Sequence, residues 1–78
     1  MNPLYIKLAQ IAYDTVIKTM LAGEQDHPGN EWENKPADYH KLHAYQHAES
    51  SYIGDKHEDH QGHCLTRCAM AILKENNP

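Results

Sequence analysis

Seven histidines among 78 residues are the first feature with chemical potential. His40, His43 and His47 recur at three and four residues, and His60 and His63 at three. In a helix these intervals bring imidazoles onto one face. The pairs His43/His47 and His60/His63 would each let one metal ion take two nitrogens from a single helix. Asp55, Glu58 and Asp59 lie between the two groups and offer oxygen. The metal-ligand candidates are therefore His47, Glu58, His60 and His63, with Mg, Mn or Zn as the divalent ion. Two other readings stand beside this one. Imidazoles opposite an apolar stripe are commonly a solvated or interface face, and protonated imidazoles also hold anions. Cys64 follows His63 directly, but neighbouring helical residues point about 100° apart and would not share an ion. Cys64 and Cys68 read as core residues with free thiols, since one helical turn aims their side chains poorly for a bridge.

A second set of residues suits a nucleotide. Trp32 and Tyr39, with Tyr45, offer rings for a base. Arg67 and Lys41 offer charge for phosphates, joined by His43, His47, His60 and His63. Trp32 is equally suited to closing a lid over the core. No activated nucleophile stands out: Ser50 and Ser51 adjoin Glu49, but no Gly-framed elbow surrounds them. No phosphate-cradling glycine loop is present. Nor is there a pair of Glu-x-x-Glu or Glu-x-x-Asp turns to hold Mg²⁺ between helices. Glu24, Glu31, Glu33 and Glu49 have the wrong spacing.

Three helices must position these groups. Asn2 and Pro3 form a helix start. Leu4, Leu8 and Ile11, then Tyr5, Ala9, Ala12, Tyr13, Val16 and Met20, recur at helical intervals. Helix 1 is expected to run to about Leu21, with Gly23 just beyond. Residues 24–36, rich in Pro, Gly, Asn and charge, read as a long loop carrying Trp32. Helix 2 is expected from Ala37 or Asp38 to Ile53, ended by Gly54. Leu42, Tyr45, Glu49, Tyr52 and Ile53 share one of its sides, and His40, His43 and His47 another. Helix 3 is expected from near Glu58 to near Glu75, with a core stripe of Leu65, Cys68, Ala69 and Ile72. His60, His63, Arg67 and Lys74 occupy its opposite flank. A short connection at 54–57 makes helices 2 and 3 an antiparallel hairpin. His47, His60 and His63 then lie level with each other, roughly 9–14 Å from the turn. The fold class is all-α in a single small domain, with no strand signal.

Composition narrows the classes further. No apolar run reaches membrane-spanning length, so no membrane partner is expected. MNPLYIKLAQ lacks the pattern of an export signal, which points to the cytoplasm and reduced thiols. A net charge of −4 with neutral histidines argues against nucleic acid as the main partner. Protonating all seven histidines would take that charge from −4 to +3. Five Tyr and one Trp with no Phe, in so short a chain, suit interfaces and pocket walls, and a homo-oligomer is expected.

The order of residues from Gly23 to Glu75 resembles the N-terminal domain of phage dATP/dGTP diphosphohydrolases. The family pattern runs from a Gly and an Asn-Trp loop to a Tyr-led helix ending in Arg-His. An aromatic and a Gly follow, then an acidic turn and a His-x-x-His that opens the last helix. Here the corresponding residues are Asn30-Glu31-Trp32, Tyr39, Gln46-His47, Gly54, the acidic turn of Asp55, Glu58 and Asp59, and His60-x-x-His63. A Glu is inserted before the Trp, and Gln46 replaces the arginine, removing a cation that could hold phosphate. The resemblance implies a nucleotide-associated helical fold of phage type, acting in the host cytoplasm.

Three functions follow from these readings. The first is binding of a nucleotide or nucleotide-derived signal, which a phage protein would sequester against host defence. The second is metal-dependent hydrolysis of a deoxynucleoside triphosphate. There His47, His60, His63, Glu58 and Asp55 would be ligands, with Glu58 or Asp59 the general base. The third is inhibition of another protein through a Tyr-rich, acidic surface, with no small-molecule ligand.

Overall fold

In the computed structural model, which describes residues 1–77, the chain forms three α-helices. They are α1 (Pro3–Asp26), α2 (Ala37–Tyr52) and α3 (His60–Asn76), with a 3₁₀ turn at Glu31–Asn34 between the first two. No strand occurs among the described residues. The all-α expectation and the antiparallel α2–α3 hairpin both hold. Helix α1 packs on α3 and leaves a gap to α2. No helix among the described residues is long and apolar enough to cross a membrane.

Local chemistry sets the boundaries. The Asn2 carboxamide accepts the Leu4 N–H at 2.9 Å, and Pro3 follows at the first helical position. Helix α1 does not stop near Leu21 but passes through Gly23 to Asp26. A mid-helix glycine costs only about 1 kcal/mol, which the neighbouring Ala22, Glu24 and Gln25 tolerate. The stop comes from Pro28, which disfavours helical backbone at His27; that residue has φ −137° and ψ 74°. The 24–36 loop is correspondingly shorter and holds Trp32 in the 3₁₀ turn. Helix α2 gives way at Gly54, whose φ of +85° is costly for other residues. Helix α3 begins at His60 rather than Glu58, because Asp59 is its cap and accepts the Gly62 N–H at 3.0 Å. The connection is therefore longer than residues 54–57.

The faces of α3 are the reverse of those expected, and α2 buries its histidine side. On α2, Leu42, Tyr45, Tyr52 and Ile53 are exposed, while Ala44 is buried and His40 is 0% exposed. His43 and His47 are half-buried. On α3, Leu65, Cys68 and Ile72 are exposed, and His60, Thr66 and Ala71 are buried. Cys64 is half-buried and Cys68 exposed, so neither is a fully buried core residue. Three of the four residues of the expected core stripe face outward, Ala69 is half-buried, and the histidine flank faces in. Small residues make this possible. Ala44, Ala71 and Gly62 are buried with little side chain to separate the helices. A methyl at Gly62 would collide with the Asp59 carboxylate and lie 3.2 Å from the Thr15 methyl, so α3 approaches α1 closely here.

Candidate functional site

Three structural pieces converge. The C-terminal half of α1, the 3₁₀ turn and the inward flank of the hairpin enclose a cleft of about 510 Å³. Its walls carry the cations Lys35 and Arg67, the rings of Trp32, Tyr39, His47 and His63, and the carboxylates of Glu24, Asp26, Glu31 and Glu58. Five of the nine residues expected to meet a nucleotide thus share one cavity: Trp32, Tyr39, His47, His63 and Arg67. His43 and His60 stand outside its lining. His43 packs against the Tyr39 ring, with centroids 4.4 Å apart.

His40 organises one end of the cleft. The Arg67 guanidinium donates to His40 Nδ1 at 2.9 Å. Arginine has no lone pair to accept with, so Nδ1 must be the acceptor and Nε2 must carry the hydrogen. Nε2–H then donates to the Trp32 carbonyl at 3.0 Å. One neutral imidazole therefore ties the 3₁₀ turn to α3. Burial above all, with the Arg67 charge beside it, holds the His40 pKa below its usual value, against the opposing pull of the Trp32 carbonyl. Lys74 adds a second tie by donating to the Glu33 carbonyl at 2.8 Å. The Trp32 indole N–H is buried without a partner among the described residues, a cost of about 1–3 kcal/mol.

The Tyr39 ring is not an open stacking wall. Lys35 Nζ lies 5.1 Å and Arg67 Cζ 5.6 Å from its centroid, so the ring serves as a platform for two cations. Tyr45, exposed and bonded to Glu49, lies outside the cleft lining, and so does Lys41, which pairs with Glu75 at 3.3 Å. Trp32 is the remaining aromatic side chain among the expected ring residues that lines the cleft.

The other end is the histidine–carboxylate cluster. His47, His60 and His63 are level across the hairpin, as the counting from Gly54 requires. The His47 ring centroid lies 5.2 Å from that of His60 and 5.0 Å from that of His63. Glu58 Oε1 sits among three nitrogens: 3.4 Å from His47 Nδ1, 3.4 Å from His60 Nδ1 and 3.5 Å from His63 Nδ1. His47, Glu58 and His63 each present one donor atom within 4.8 Å of the others. His60 Nε2–H donates to Asp55 Oδ2 at 2.9 Å. That leaves a lone pair on His60 Nδ1, which accepts from His47 Nδ1–H at 2.9 Å. Asp55 also accepts the His57 backbone N–H at 3.0 Å and a bond from the His57 ring. The backbone bond first, then the two imidazoles, bring its pKa down to about 2. The pKa of His47 is lowered chiefly by burial and then by neighbouring His63. Asp59, committed to capping α3, has no part in the cluster's contacts.

Sequence reasoning omitted His40, Lys35 and Asp55 as a hydrogen-bonding support. His40 was visible as the first member of the stripe that continues through His43 and His47. Nothing in the sequence signalled that Lys35 would reach Tyr39.

No family model matches the chain, and no curated protein or solved structure matches it either.

Proposed function

We propose that the protein binds a nucleotide or nucleotide-derived signal in this cleft and sequesters it. The observation that carries the reading is the convergence of Trp32, Lys35 and Arg67 with His47 and His63 on one cavity of about 510 Å³, a volume suited to a small ligand. Lys35 and Arg67 face the phosphates, and Trp32 meets the base. The guanidinium is fixed by His40 and so needs little ordering on binding. The resemblance to the phage nucleotide-hydrolase domain supports the same ligand class. It also supports the biological setting, removal of a defence signal in the host cytoplasm. Trp32 is the sole tryptophan, so its fluorescence reports on the cleft directly. Titration with purine nucleotides and cyclic nucleotides should quench it saturably. Arg67→Ala should weaken binding about ten- to a hundredfold, the equivalent of one or two charge-assisted hydrogen bonds. No fluorescence or melting-temperature response to millimolar nucleotide rejects the proposal.

The histidine–carboxylate cluster favours a second reading, metal-dependent hydrolysis of a deoxynucleoside triphosphate. His47, Glu58 and His63 all line the cleft, where an ion would neutralise phosphate charge and lower the pKa of a bound water. Release of pyrophosphate or phosphate in the presence of Mn²⁺, Mg²⁺ or Zn²⁺, and its loss in His47→Ala, tests this reading. Binding without turnover leaves the protein as a sink.

A further inference from the structure

We propose that His47, Glu58 and His63, whose donor atoms lie within 4.8 Å of one another, are joined by His60 to form a tetrahedral centre for a zinc-class divalent ion. In a tetrahedron the ligand–ligand edge is about 1.63 times the metal–ligand distance, and zinc bonds of about 2.0–2.1 Å give edges near 3.3–3.4 Å. The three distances from Glu58 Oε1 to the imidazole Nδ1 atoms are 3.4, 3.4 and 3.5 Å. Three edges sharing the Glu58 vertex thus have the required length before any ion is placed, while His60 lies outside the set of mutually close donors and must turn toward His63 to complete the tetrahedron. The His47–His60 edge, at 2.9 Å, is the length of their hydrogen bond. It opens by about half an ångström when His47 moves its proton from Nδ1 to Nε2 and both lone pairs turn to the metal.

The surroundings of His60 support this assignment independently. Its Nε2–H is held by Asp55 Oδ2 at 2.9 Å while Nδ1 faces the cluster. A carboxylate fixing the far nitrogen of a metal-ligating histidine is the usual support for such a ligand. His57 in turn orients Asp55. The donor set selects the metal. Three imidazoles and one carboxylate suit Zn²⁺ and its neighbours, whereas Mg²⁺ requires an oxygen shell. The centre adjoins the cleft assigned above to a phosphate-bearing ligand, but binding of the ion does not depend on that assignment.

The test uses the full chain, untagged and stripped with a chelator, with no nucleotide present. Zn²⁺ titration by calorimetry and native mass spectrometry should give one ion per chain. Mg²⁺ in large excess should not compete. Co²⁺ should give the intense visible bands of a tetrahedral site. Glu58 is exposed, so Glu58→Gln leaves the fold intact while weakening Zn²⁺ at least tenfold. His47→Ala should remove the stoichiometric site, and Asp55→Asn should weaken it about ten- to a hundredfold. Absence of stoichiometric Zn²⁺, weak octahedral Co²⁺ bands, or Zn²⁺ binding unchanged in both Glu58→Gln and His47→Ala overturns the assignment. Nucleotide binding measured separately then stands or falls alone.

A different observation carries a second inference. The chain exposes 6195 Å², about 1,400 Å² more than the roughly 4,800 Å² of a compact monomer of this mass. Every residue from Pro3 to Ile11 is exposed, including Leu4, Tyr5, Leu8 and Ile11 on a helix that packs only against α3. The geometry points to a second copy of this chain covering that face. The excess matches the area each partner buries in an obligate homodimer, about 1,000–2,500 Å², and a twofold pairing makes one patch complementary to itself. Sedimentation velocity at micromolar concentration should show a dimer, and Leu8→Glu with Ile11→Glu should give a monomer of unchanged helicity. A wild-type monomer, or a dimer unaffected by the two charges, refutes this interface.

Discussion

Replacing His40 with glutamine separates a titrating group from the hydrogen bonds it makes. The wild-type imidazole is 0% exposed, and its neutral form is the one that accepts from Arg67 and donates to Trp32. Its pKa in the fold is lowered from 6.5. Below pH 6.5 the unfolded chain therefore binds more protons than the folded one. Stability is complete above that pH and falls as the solution is acidified toward the folded pKa. The loss between pH 7.5 and 5.5 is bounded at about 1.4 kcal/mol, the limit for a histidine that binds no proton in the fold and titrates at 6.5 when unfolded. The glutamine amide has one donor and one acceptor end, so both partners remain satisfied while the proton-binding site disappears. Urea unfolding at the two pH values, with chelator present, should show the wild type losing more stability than His40→Gln, by at most about 1.4 kcal/mol. His43, whose pKa is also lowered by burial and then by Arg67, contributes equally to both proteins. Parallel pH dependence in the two proteins refutes a neutral, buried His40. Asp55 works in a separate window: its pKa of about 2 confers stability that is complete above 3.8 and is lost as the pH falls through 2.

Gly62→Ala should destabilise the fold by about 1–3 kcal/mol in chemical unfolding, because the new methyl displaces the Asp59 cap and wedges α3 from α1. Gly54→Ala meets open space. Its cost is the left-handed backbone alone, about 1–2 kcal/mol, read as a lower melting temperature with an unchanged helical spectrum. Lys41→Ala breaks a half-exposed pair with Glu75 and should change stability by less than about 1 kcal/mol in the same assay.

Much of the local structure follows from short stretches of chain. Asn2-Pro3 starts α1, Gly54 ends α2, and the 3.6-residue periodicity makes each segment helical. Interval counting from Gly54 places His47, His60 and His63 at one level, because the rise per residue is fixed by the backbone. Helix α1 runs to Asp26 rather than to about Leu21 because Gly23 is a weak stop, whereas the proline at 28 is a strong one.

Helix rotation lay beyond the sequence. A helical wheel shows that His40, His43 and His47 oppose Leu42 and Tyr45, but it does not say which side meets α3. Hydrophobicity alone would bury Leu65 and Ile72; the fold exposes both and buries His40, His60, Ala44 and Ala71 instead. The reason is that imidazoles able to pair with one another, with Arg67 and with Asp55 meet inside with their polar atoms satisfied, and small residues let the backbones approach. Residue identity determined which groups were available for chemistry. Only tertiary packing decided that His47, Glu58, His60 and His63 would converge and that Lys35 and Arg67 would share the Tyr39 ring. Those contacts depend on the rotation of two helices about their own axes, a freedom that local backbone preferences leave open.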